Sequence, residues 1–318
     1  MIPEKTIHRA ELLTGAPVAE AIKREVAAEV EEIASRYGFR PCLAVVRVGT
    51  DPASEVYVAK KVKTSLELGL VSEHHALHET TTHEELLRLV NILNDRDDVD
   101  GILVQLPLPK QIHATEILAS INPEKDVDGF HPLNVGRLAQ GLDALAPCTP
   151  AGVIELLERN NIEIRGKHAV IVGRSNIVGR PMSQMLLKKD ATVTICHIHT
   201  QNLPELTKLG DILVVAVGKI ALIRGEHIKP GSTVIDVGIN QLSDKNAARE
   251  LFDESEIEKR LEIIERRGAT IIGDVHPLEA MRVAAKFTPV PGGVGLLTVA
   301  ILMKNTLTAA KRRRKIDF

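Results

Sequence analysis

Two side chains capable of acid–base chemistry lie one helical turn apart in the segment DPASEVYVAKKVK. Tyr57 and Lys61 are four residues apart, so both project from one face of the helix predicted over about residues 54–68. The cationic neighbours Lys60 and Lys63, together with burial in a cleft, would favour a neutral amine that can exchange protons near neutral pH. A solvated lysine-rich face with a half-buried tyrosine explains the same residues, so both interpretations stay open.

Two further polar side chains are candidates for the same site. Gln105 interrupts the otherwise apolar GILVQLPLP near the carboxyl end of a predicted buried strand, where α/β sheets usually bind ligands. A buried amide needs partners, so Gln105 is predicted either to orient Lys61 or to satisfy loop backbone. Asp128, in EKDVDGFHP, could accept two hydrogen bonds from an amino-heterocycle. An aspartate before Gly129 is also typical of a simple turn.

A different chemistry is indicated by VIVGRSNIVGRP, residues 170–181. A predicted strand ends at Gly173, Gly179 precedes the helical MSQMLL, and Ser175 stands where a second glycine is usual. A glycine turn before a helix start offers backbone N–H groups to a phosphate, and the serine adds a hydroxyl donor. The turn therefore predicts a dinucleotide site, with a purely structural strand-to-helix crossover as the alternative.

The charges near this turn favour one dinucleotide. An NAD site normally has an acidic residue about 20 residues later that accepts a hydrogen bond from a ribose hydroxyl. Here the second strand ends in TICHIHT, which has no carboxylate. Arg174 places a guanidinium beside the turn, where it could bind the extra phosphate of NADP. We therefore predict NADP as the cofactor.

The elements that must position these residues alternate between strand and helix patterns. Apolar, β-rich runs separated by helical periodicity are typical of parallel sheets with crossover helices. One series contains CLAVVRVG and GILVQLPLP, and it follows a helix with apolar residues Ile22, Val26, Val30 and Ile33 on one face. A second series contains AVIVG, ATVTIC, DILVVAVG, TVIDVG and ATIIGD, which is a Rossmann-like order.

We predict an α/β protein of two domains. Residues 1–149 form an N-terminal α/β domain, to which a C-terminal helix at about 294–318 packs back, and residues 150–293 form a Rossmann-like domain with a parallel sheet. The boundary is placed at PCTPAG, where Thr149 can cap a helix whose first turn holds Pro150.

Composition limits the classes of protein that fit. The chain has 318 residues, 40 basic and 42 acidic side chains and a net charge of −2, so it lacks the basic footprint of a nucleic-acid binder. The terminal KRRRK is interpreted as a solvated helix end. Three widely spaced cysteines without a signal peptide predict a reducing cytoplasm. No apolar run approaches the roughly 20 residues that span a bilayer. The histidines and cysteines do not form a second ligand cluster at a suitable spacing, so we predict no metal site.

Eight motifs, in this order along nearly the whole chain, closely resemble the bifunctional methylenetetrahydrofolate dehydrogenase/methenyltetrahydrofolate cyclohydrolase family. They are DPASEVYVAKKVK, GILVQLPLP, PEKDVDGFHPLNVGRLA, PCTPAGVIELL, GKHAVIVGRSNIVGRPMSQMLL, GDILVVAVGK, VIDVGIN and TPVPGGVG. The resemblance implies a catalytic folate domain, an NADP-binding Rossmann domain, a cleft between them and assembly as a homodimer. It also implies NADP-dependent oxidation of 5,10-methylenetetrahydrofolate to the methenyl form, then hydrolysis to 10-formyltetrahydrofolate, in the one-carbon metabolism that serves purine biosynthesis.

The resemblance also implies roles for individual residues. Lys61 matches the catalytic lysine, Gln105 its amide partner, Tyr57 the tyrosine at the pterin and Asp128 the pterin-binding acid. The expected cofactor contacts are Gly173, Arg174, Ser175 and Ile239, the last near the nicotinamide. The expected substrate contacts also include Val104, Leu106, Pro291, Gly292, Gly293, Val294 and Gly295.

Several positions depart from the family pattern. Leu296 and Leu297 replace Pro and Met after PGGVG, TGA replaces an early DGK, and Ile198 stands where some NADP-using relatives have a serine. The segment 241–272 is longer than usual and predicts an additional surface helix. Two alternatives follow: a dehydrogenase-only or NAD-using variant of the family, and a non-catalytic NADP- or folate-binding protein.

Overall fold

The chain folds into two compact units, as seen in a computed structural model that describes residues 9–316. The Rossmann unit comprises the described residues up to Val18 together with Gly152–Leu297, and the Lys61 unit comprises Ala19–Ala151 together with the described residues from Thr298 onward. The predicted two-domain α/β class is confirmed. The sequence analysis assigned all residues before 150 to one domain. The first described residues belong instead to the Rossmann unit, because Glu11–Leu12 pairs with a strand of that unit.

Strands and helices alternate through most of the described chain. The strands are β1 (Glu11–Leu12), β2 (Cys42–Val48), β3 (Val71–Leu77), β4 (Gly101–Val104), β5 (His168–Val172), β6 (Thr192–Cys196), β7 (Ile212–Val215), β8 (Thr233–Asp236), β9 (Asn240–Leu242), β10 (Thr270–Ile272) and β11 (Lys286–Phe287). The α-helices are α1 (Ala16–Tyr37), α2 (Pro52–Glu67), α3 (His83–Asp95), α4 (Ala114–Ser120), α5 (Pro132–Ala139), α6 (Cys148–Arg159), α7 (Gly179–Lys188), α8 (Leu203–Thr207), α9 (Lys245–Leu251), α10 (Ile257–Arg267), α11 (Pro277–Val283) and α12 (Leu297–Arg313). Short 3-10 turns lie at Gly225–His227 and Val294–Leu296.

The Rossmann unit is built on a six-stranded parallel sheet with the order β1-β11-β8-β7-β5-β6. Strands β7 and β8 are buried throughout their length, as expected of a parallel sheet covered on both faces. The chain goes from β5 to its neighbour β6 and then crosses to β7 on the other side. Such a reversal opens a crevice at the carboxyl ends of the strands, where ligands usually bind.

One predicted strand forms but lies outside this sheet. ATIIGD supplies β10, which pairs antiparallel with β9 in a separate two-stranded sheet, because the place beside β8 is taken by β11. The long segment 241–272 therefore holds more than the predicted surface helix. With α9 and α10 it encloses its own apolar cluster of Ala221, Leu242, Ala248, Leu251, Phe252, Ile264 and Ile272.

The Lys61 unit is built on a three-stranded parallel sheet, β3-β2-β4. All seven residues of the central strand β2 are buried. Helix α2 follows β2 after a short loop: the Asp51 carboxylate accepts the Ser54 N–H at 2.8 Å, and Pro52 occupies the first turn, both typical of a helix start. The sheet thereby fixes where the predicted Tyr57 and Lys61 helix begins.

The C-terminal basic run is not the solvated helix end that the sequence predicted. Arg313 Nη1 donates to Asp100 Oδ1 at 2.9 Å, and Arg314 Nη2 donates to the same oxygen at 3.0 Å. The Asp100 side chain is fully buried and also accepts the Cys42 N–H at 3.0 Å. Two of the terminal arginines therefore compensate a buried carboxylate at the start of β4.

The helical stretch Val294–Arg313 is long and apolar enough to cross a membrane, by length and composition alone. Val294–Arg313 has 20 residues with few charges, and 61% of its most apolar window is buried inside the protein. The expectation that no apolar run approaches this length is thus corrected. Because most of the stretch is buried, it fits a core helix, which can be equally long and apolar.

Candidate active site

The structure joins Lys61 to Gln105. Helix α2 carries the lysine, and the residue that follows β4 supplies the amide: Lys61 Nζ donates to Gln105 Oε1 at 2.9 Å. The other end of the amide, Nε2, donates to the Leu106 carbonyl at 2.6 Å. The two alternatives for Gln105 therefore both occur, since one side of the amide binds the lysine and the other satisfies loop backbone.

Asp128 lies close enough to Lys61 for their charges to interact. Burial raises the pKa of the Asp128 carboxyl, and the Lys61 ammonium opposes that rise. Its Oδ1 accepts a hydrogen bond from the Cys148 thiol at 3.7 Å. Gly129 has a φ of +71°, so a turn does follow Asp128. The three residues predicted for proton chemistry and pterin binding are thus brought together in one unit.

The remaining predicted substrate residues of this unit lie on the same elements as Lys61 and Gln105 or next to them in the sequence. Tyr57 lies one turn before Lys61 on α2, and 42% of its surface is exposed. Val104 is the last residue of β4 and is buried, whereas Leu106 is half-buried. The partly exposed phenol of Tyr57 offers an aromatic surface on which a flat ring could stack.

The segment EKDVDGFHP contains a second aspartate with a different environment. Asp126 Oδ2 accepts the His131 N–H at 2.8 Å and the Asn134 amide at 2.9 Å. These bonds are internal to the fold, and only 1% of the Asp126 surface is exposed. Asp126 therefore holds the loop, while Asp128 keeps acceptor capacity for a ligand.

Two residues beside Asp128 escaped the sequence analysis. Cys148 begins α6, and Asn305 lies on α12, where its Nδ2 donates to the carbonyls of Val127 and Ala146 at 2.8 and 2.9 Å. Asn305 thereby joins the backbone at Val127, directly before Asp128, to the backbone at Ala146. No spacing in the sequence links position 305 to position 128, so only the fold could show this contact.

The glycine turn after β5 has the close approaches that a dinucleotide cradle needs. Gly173 has a φ of +127°, and a Cβ there would lie 2.2 Å from the Ala216 carbonyl oxygen; at Gly179 a Cβ would lie 2.1 Å from the Gly173 oxygen. The backbone at Ser175 is under no such constraint. Its Oγ accepts the N–H groups of Val178 and Gly179 at 3.1 and 3.4 Å, which leaves the hydroxyl hydrogen able to donate.

A cavity of about 480 Å³ opens beside this turn at the carboxyl ends of β5, β6 and β7. The predicted cofactor residues Gly173, Arg174 and Ser175 line it, and Ile198 lies in its wall with 78% of its surface exposed. The sequence analysis missed several of its other lining residues: His197, Thr200, Leu203, Ala216, Val217, Lys219 and Leu222. The volume and the glycine cradle fit an elongated phosphate-bearing ligand.

The predicted segment 291–295 also lies in the Rossmann unit. A Cβ on Gly293 would lie 2.7 Å from the Pro289 oxygen, and a Cβ on Gly295 would lie 3.7 Å from Ile239 Cδ1. Ile239, the predicted nicotinamide contact, therefore lies against this segment. The altered residues that follow form the end of a 3-10 turn at Leu296 and the start of α12 at Leu297.

The structure offers no competing metal centre in the part of the chain that it describes. Residues 9–316 contain no group of three or more His, Cys, Asp or Glu side chains placed to hold a metal ion. His197 and His199 stack edge to face, with ring centroids 6.0 Å apart, and His197 faces the cavity beside β6.

The fold and these two sites define a class: a two-domain α/β protein with a dinucleotide cradle on one unit and a lysine–amide–carboxylate group on the other. Comparison with known families is specific. The tetrahydrofolate dehydrogenase/cyclohydrolase NAD(P)-binding domain matches residues 147–314, and the catalytic domain of the same family matches residues 13–128. The chain belongs to the tetrahydrofolate dehydrogenase/cyclohydrolase family.

Individual relatives match over nearly their whole length. The bifunctional protein FolD of Koribacter versatilis is 50% identical over 96% of this chain and 98% of its own. A crystal structure of the bifunctional FolD enzyme of Campylobacter jejuni is 44% identical, covers 96% of this chain and 99% of its own, and superposes with a TM-score of 0.86. The Trypanosoma brucei FolD structure, solved with NADP and an inhibitor, is 38% identical, covers 96% and 98%, and has a TM-score of 0.85.

Proposed function

We propose that this protein oxidises 5,10-methylenetetrahydrofolate to the 5,10-methenyl form with NADP and then hydrolyses it to 10-formyltetrahydrofolate. The observation that carries the proposal is the Lys61–Gln105 hydrogen bond of 2.9 Å beside Asp128, in a chain that also has a glycine cradle for a dinucleotide. A non-catalytic binding protein would not need to orient an amine in this way.

In the dehydrogenase step the protein's task is alignment. NADP, when bound, accepts the hydride, and the folate nitrogens can assist its departure with their own lone pairs, so no protein proton donor is needed. Asp128 holds the pterin by accepting hydrogen bonds from it, and Tyr57 supplies a surface for the ring. Gly173, Arg174 and Ser175 hold the phosphates, and Arg174 supplies the positive charge for the phosphate that distinguishes NADP.

In the cyclohydrolase step a proton must move. Water attacks the methenyl carbon and loses a proton, and the C–N bond that then breaks leaves a nitrogen that gains one. Lys61 Nζ is the group that can take the first proton and return it, because Gln105 Oε1 accepts a hydrogen bond from it and so fixes the direction of the amine.

A spectrophotometric assay with methylenetetrahydrofolate and either NADP or NAD tests the activity and the cofactor together. We expect turnover with NADP to exceed turnover with NAD; a preference for NAD would favour the NAD-using variant of the family. Formation of methenyltetrahydrofolate without its hydrolysis would identify a dehydrogenase-only enzyme. Tight NADP binding without either turnover would revive the non-catalytic alternative.

Lys61→Met tests the proton-transfer role. The variant should lose cyclohydrolase activity while it stays folded and binds NADP, because the amine is removed and the side-chain volume is nearly kept. Lys60→Met is the matched control, since Lys60 is the neighbouring exposed lysine on α2 and should keep near-normal hydrolysis. Near-normal hydrolysis by Lys61→Met would remove Lys61 from the mechanism.

We further propose that the enzyme is a cytoplasmic homodimer in one-carbon metabolism, serving purine biosynthesis, without nucleic-acid or membrane partners. The near-neutral charge supports the last point. Light scattering on the purified protein should give twice the 34.7 kDa chain mass; a monomer mass would reject the dimer.

A further inference from the structure

The loop after β7 forms part of the wall of the dinucleotide cavity, and a buried carboxylate holds it. Val217 and Lys219 both line the cavity. Asp274 Oδ2 accepts the N–H groups of Val217 and Gly218 at 2.6 and 3.0 Å, and its Oδ1 accepts the Lys219 N–H at 2.8 Å. Three consecutive backbone donors therefore converge on one side chain.

The same carboxylate reaches a second segment of the predicted cofactor site. Asp274 Oδ1 also accepts a hydrogen bond from Asn240 Nδ2 at 2.9 Å, and Asn240 directly follows Ile239, the predicted nicotinamide contact. None of the Asp274 surface is exposed. A fully buried carboxylate with four donors holds its partners in a fixed geometry, because losing any of them would leave a desolvated charge under-compensated.

A second buried carboxylate holds Asp274 in place. Asp236 Oδ1 accepts the Asp274 N–H, and its Oδ2 accepts the Val275 N–H, both at 2.9 Å. The glycines beside the two acids permit this approach: a Cβ at Gly273 would lie 1.9 Å from Asp236 Oδ2, and one at Gly238 would lie 2.3 Å from Asp274 Cγ. Asp236 therefore supports the backbone that carries Asp274.

We propose that Asp274 is a positioning residue of the dinucleotide site, which holds loop 217–219 and Asn240 in the geometry that binds NADP. The proposal rests on the proposed function, since it assumes that the cavity takes NADP. Asp274 touches no reacting atom in this account. It acts by holding the backbone that would contact the cofactor, so its loss should weaken cofactor binding. The cyclohydrolase activity of the other unit should remain.

The test is Asp274→Asn, which keeps the shape of the side chain. It replaces one acceptor oxygen by an NH2 group, which cannot accept the hydrogen bonds that the backbone or Asn240 donates there. We expect the Kd for NADP, measured by calorimetry, to rise at least roughly tenfold, as for the loss of one charge-assisted contact. Cyclohydrolase activity, measured without NADP, should stay within about twofold of the wild type, whereas a general structural defect would lower both. An unchanged Kd for NADP would overturn the proposal.

Asp211→Asn is the matched control. Asp211 lies in the same unit, directly before β7, where it accepts the His168 N–H at 2.9 Å and pairs with Lys229 at 2.6 Å. It lines a different cavity, so its replacement should leave the Kd for NADP unchanged. An equal rise in Kd for both variants would assign the effect to general damage and reject a specific role for Asp274.

A milder variant keeps the idea testable if Asp274→Asn does not fold. Asn240→Ala removes one of the four donors and should speed hydrogen exchange at the amides of Val217, Gly218 and Lys219 while raising the Kd for NADP. Exchange and affinity both equal to the wild type would overturn the proposal. Failure of the wild type itself to bind NADP would instead reject the proposed function, so the two failures are distinguishable.

Discussion

Asp128 is the residue on which folate recognition depends in this proposal. The Cys148 thiol is a weak donor to Asp128 Oδ1 at 3.7 Å, so the carboxylate keeps acceptor capacity for an amino-heterocycle. Asp128→Asn should weaken folate binding by about 2 to 4 kcal/mol, because a charge-assisted pair is replaced by an amide that must also present an N–H. Folate affinity measured by fluorescence quenching checks this.

The control for this prediction is Asp143→Asn, at an exposed aspartate of the same unit that pairs with Arg312. It should leave folate affinity unchanged. Unchanged affinity in Asp128→Asn itself would contradict the assigned role.

At the same scale, we propose that Ile198 influences cofactor preference. Its exposed side chain lies in the wall of the cavity, at the position where some NADP-using relatives have a serine, whose hydroxyl can donate to a phosphate. Ile198→Ser should therefore improve the affinity for NADP by about 1 kcal/mol, roughly fivefold, with little effect on NAD. The ratio of the two KM values is the measurement.

Ile195→Ser provides the comparison, since Ile195 lies on β6 three residues earlier and is also partly exposed. It should leave the ratio of KM values where the wild type has it. A rise in NAD affinity as large as that for NADP in Ile198→Ser would show that phosphate recognition is not involved.

At the scale of elements, the end of α12 depends on the buried carboxylate before β4. Removing the Asp100 charge leaves Arg313 and Arg314 without their shared partner, and breaking such a buried pair typically costs about 3 to 5 kcal/mol. Asp100→Asn should lower the free energy of unfolding by an amount of this order, measured by urea denaturation.

Asp97 allows a direct comparison, because its side chain is fully exposed and it approaches the same Arg313 at 3.8 Å. Asp97→Asn should leave the free energy of unfolding close to that of the wild type, because exposed ion pairs contribute little to stability. Equal effects of the two substitutions would show that burial does not set the energy of this cluster.

The elements also show what could be predicted from the sequence and what could not. The contact between Lys61 and Gln105 was one of two alternatives that the sequence predicted, because a polar residue near the carboxyl end of a buried strand lies where α/β sheets usually bind ligands. The sheet to which the ATIIGD strand belongs could not be predicted, since periodicity identifies a strand but not the strand beside it. Likewise, KRRRK shows charge but not the buried Asp100, which lies more than two hundred residues earlier in the sequence.

At the scale of the whole molecule, buried carboxylates make stability depend on pH. Burial raises the pKa of Asp236 from 3.8 to about 7, so the folded state holds a proton that the unfolded state has lost over this range. The stabilising contribution of that proton is complete below about pH 4 and is lost as the pH rises through about 7.

Asp236→Asn isolates this effect. The free energy of unfolding of the wild type minus that of the variant should fall between about pH 4 and pH 7, as measured by denaturation across this range. Other titrating groups are common to both proteins and cancel in the difference. A difference that rises with pH would show that Asp236 is ionised in the fold.

The strand β1 pairs in the Rossmann sheet, and α12 supplies Asn305 and Arg313 to the Lys61 unit. Each unit is therefore assembled from two separated stretches of chain. A gene cut near codon 150 would yield two fragments. The first would lack α12 and carry β1, and the second would lack β1 and carry α12. Neither fragment should fold unaided, so separating the two activities by subcloning calls for point substitutions rather than truncation.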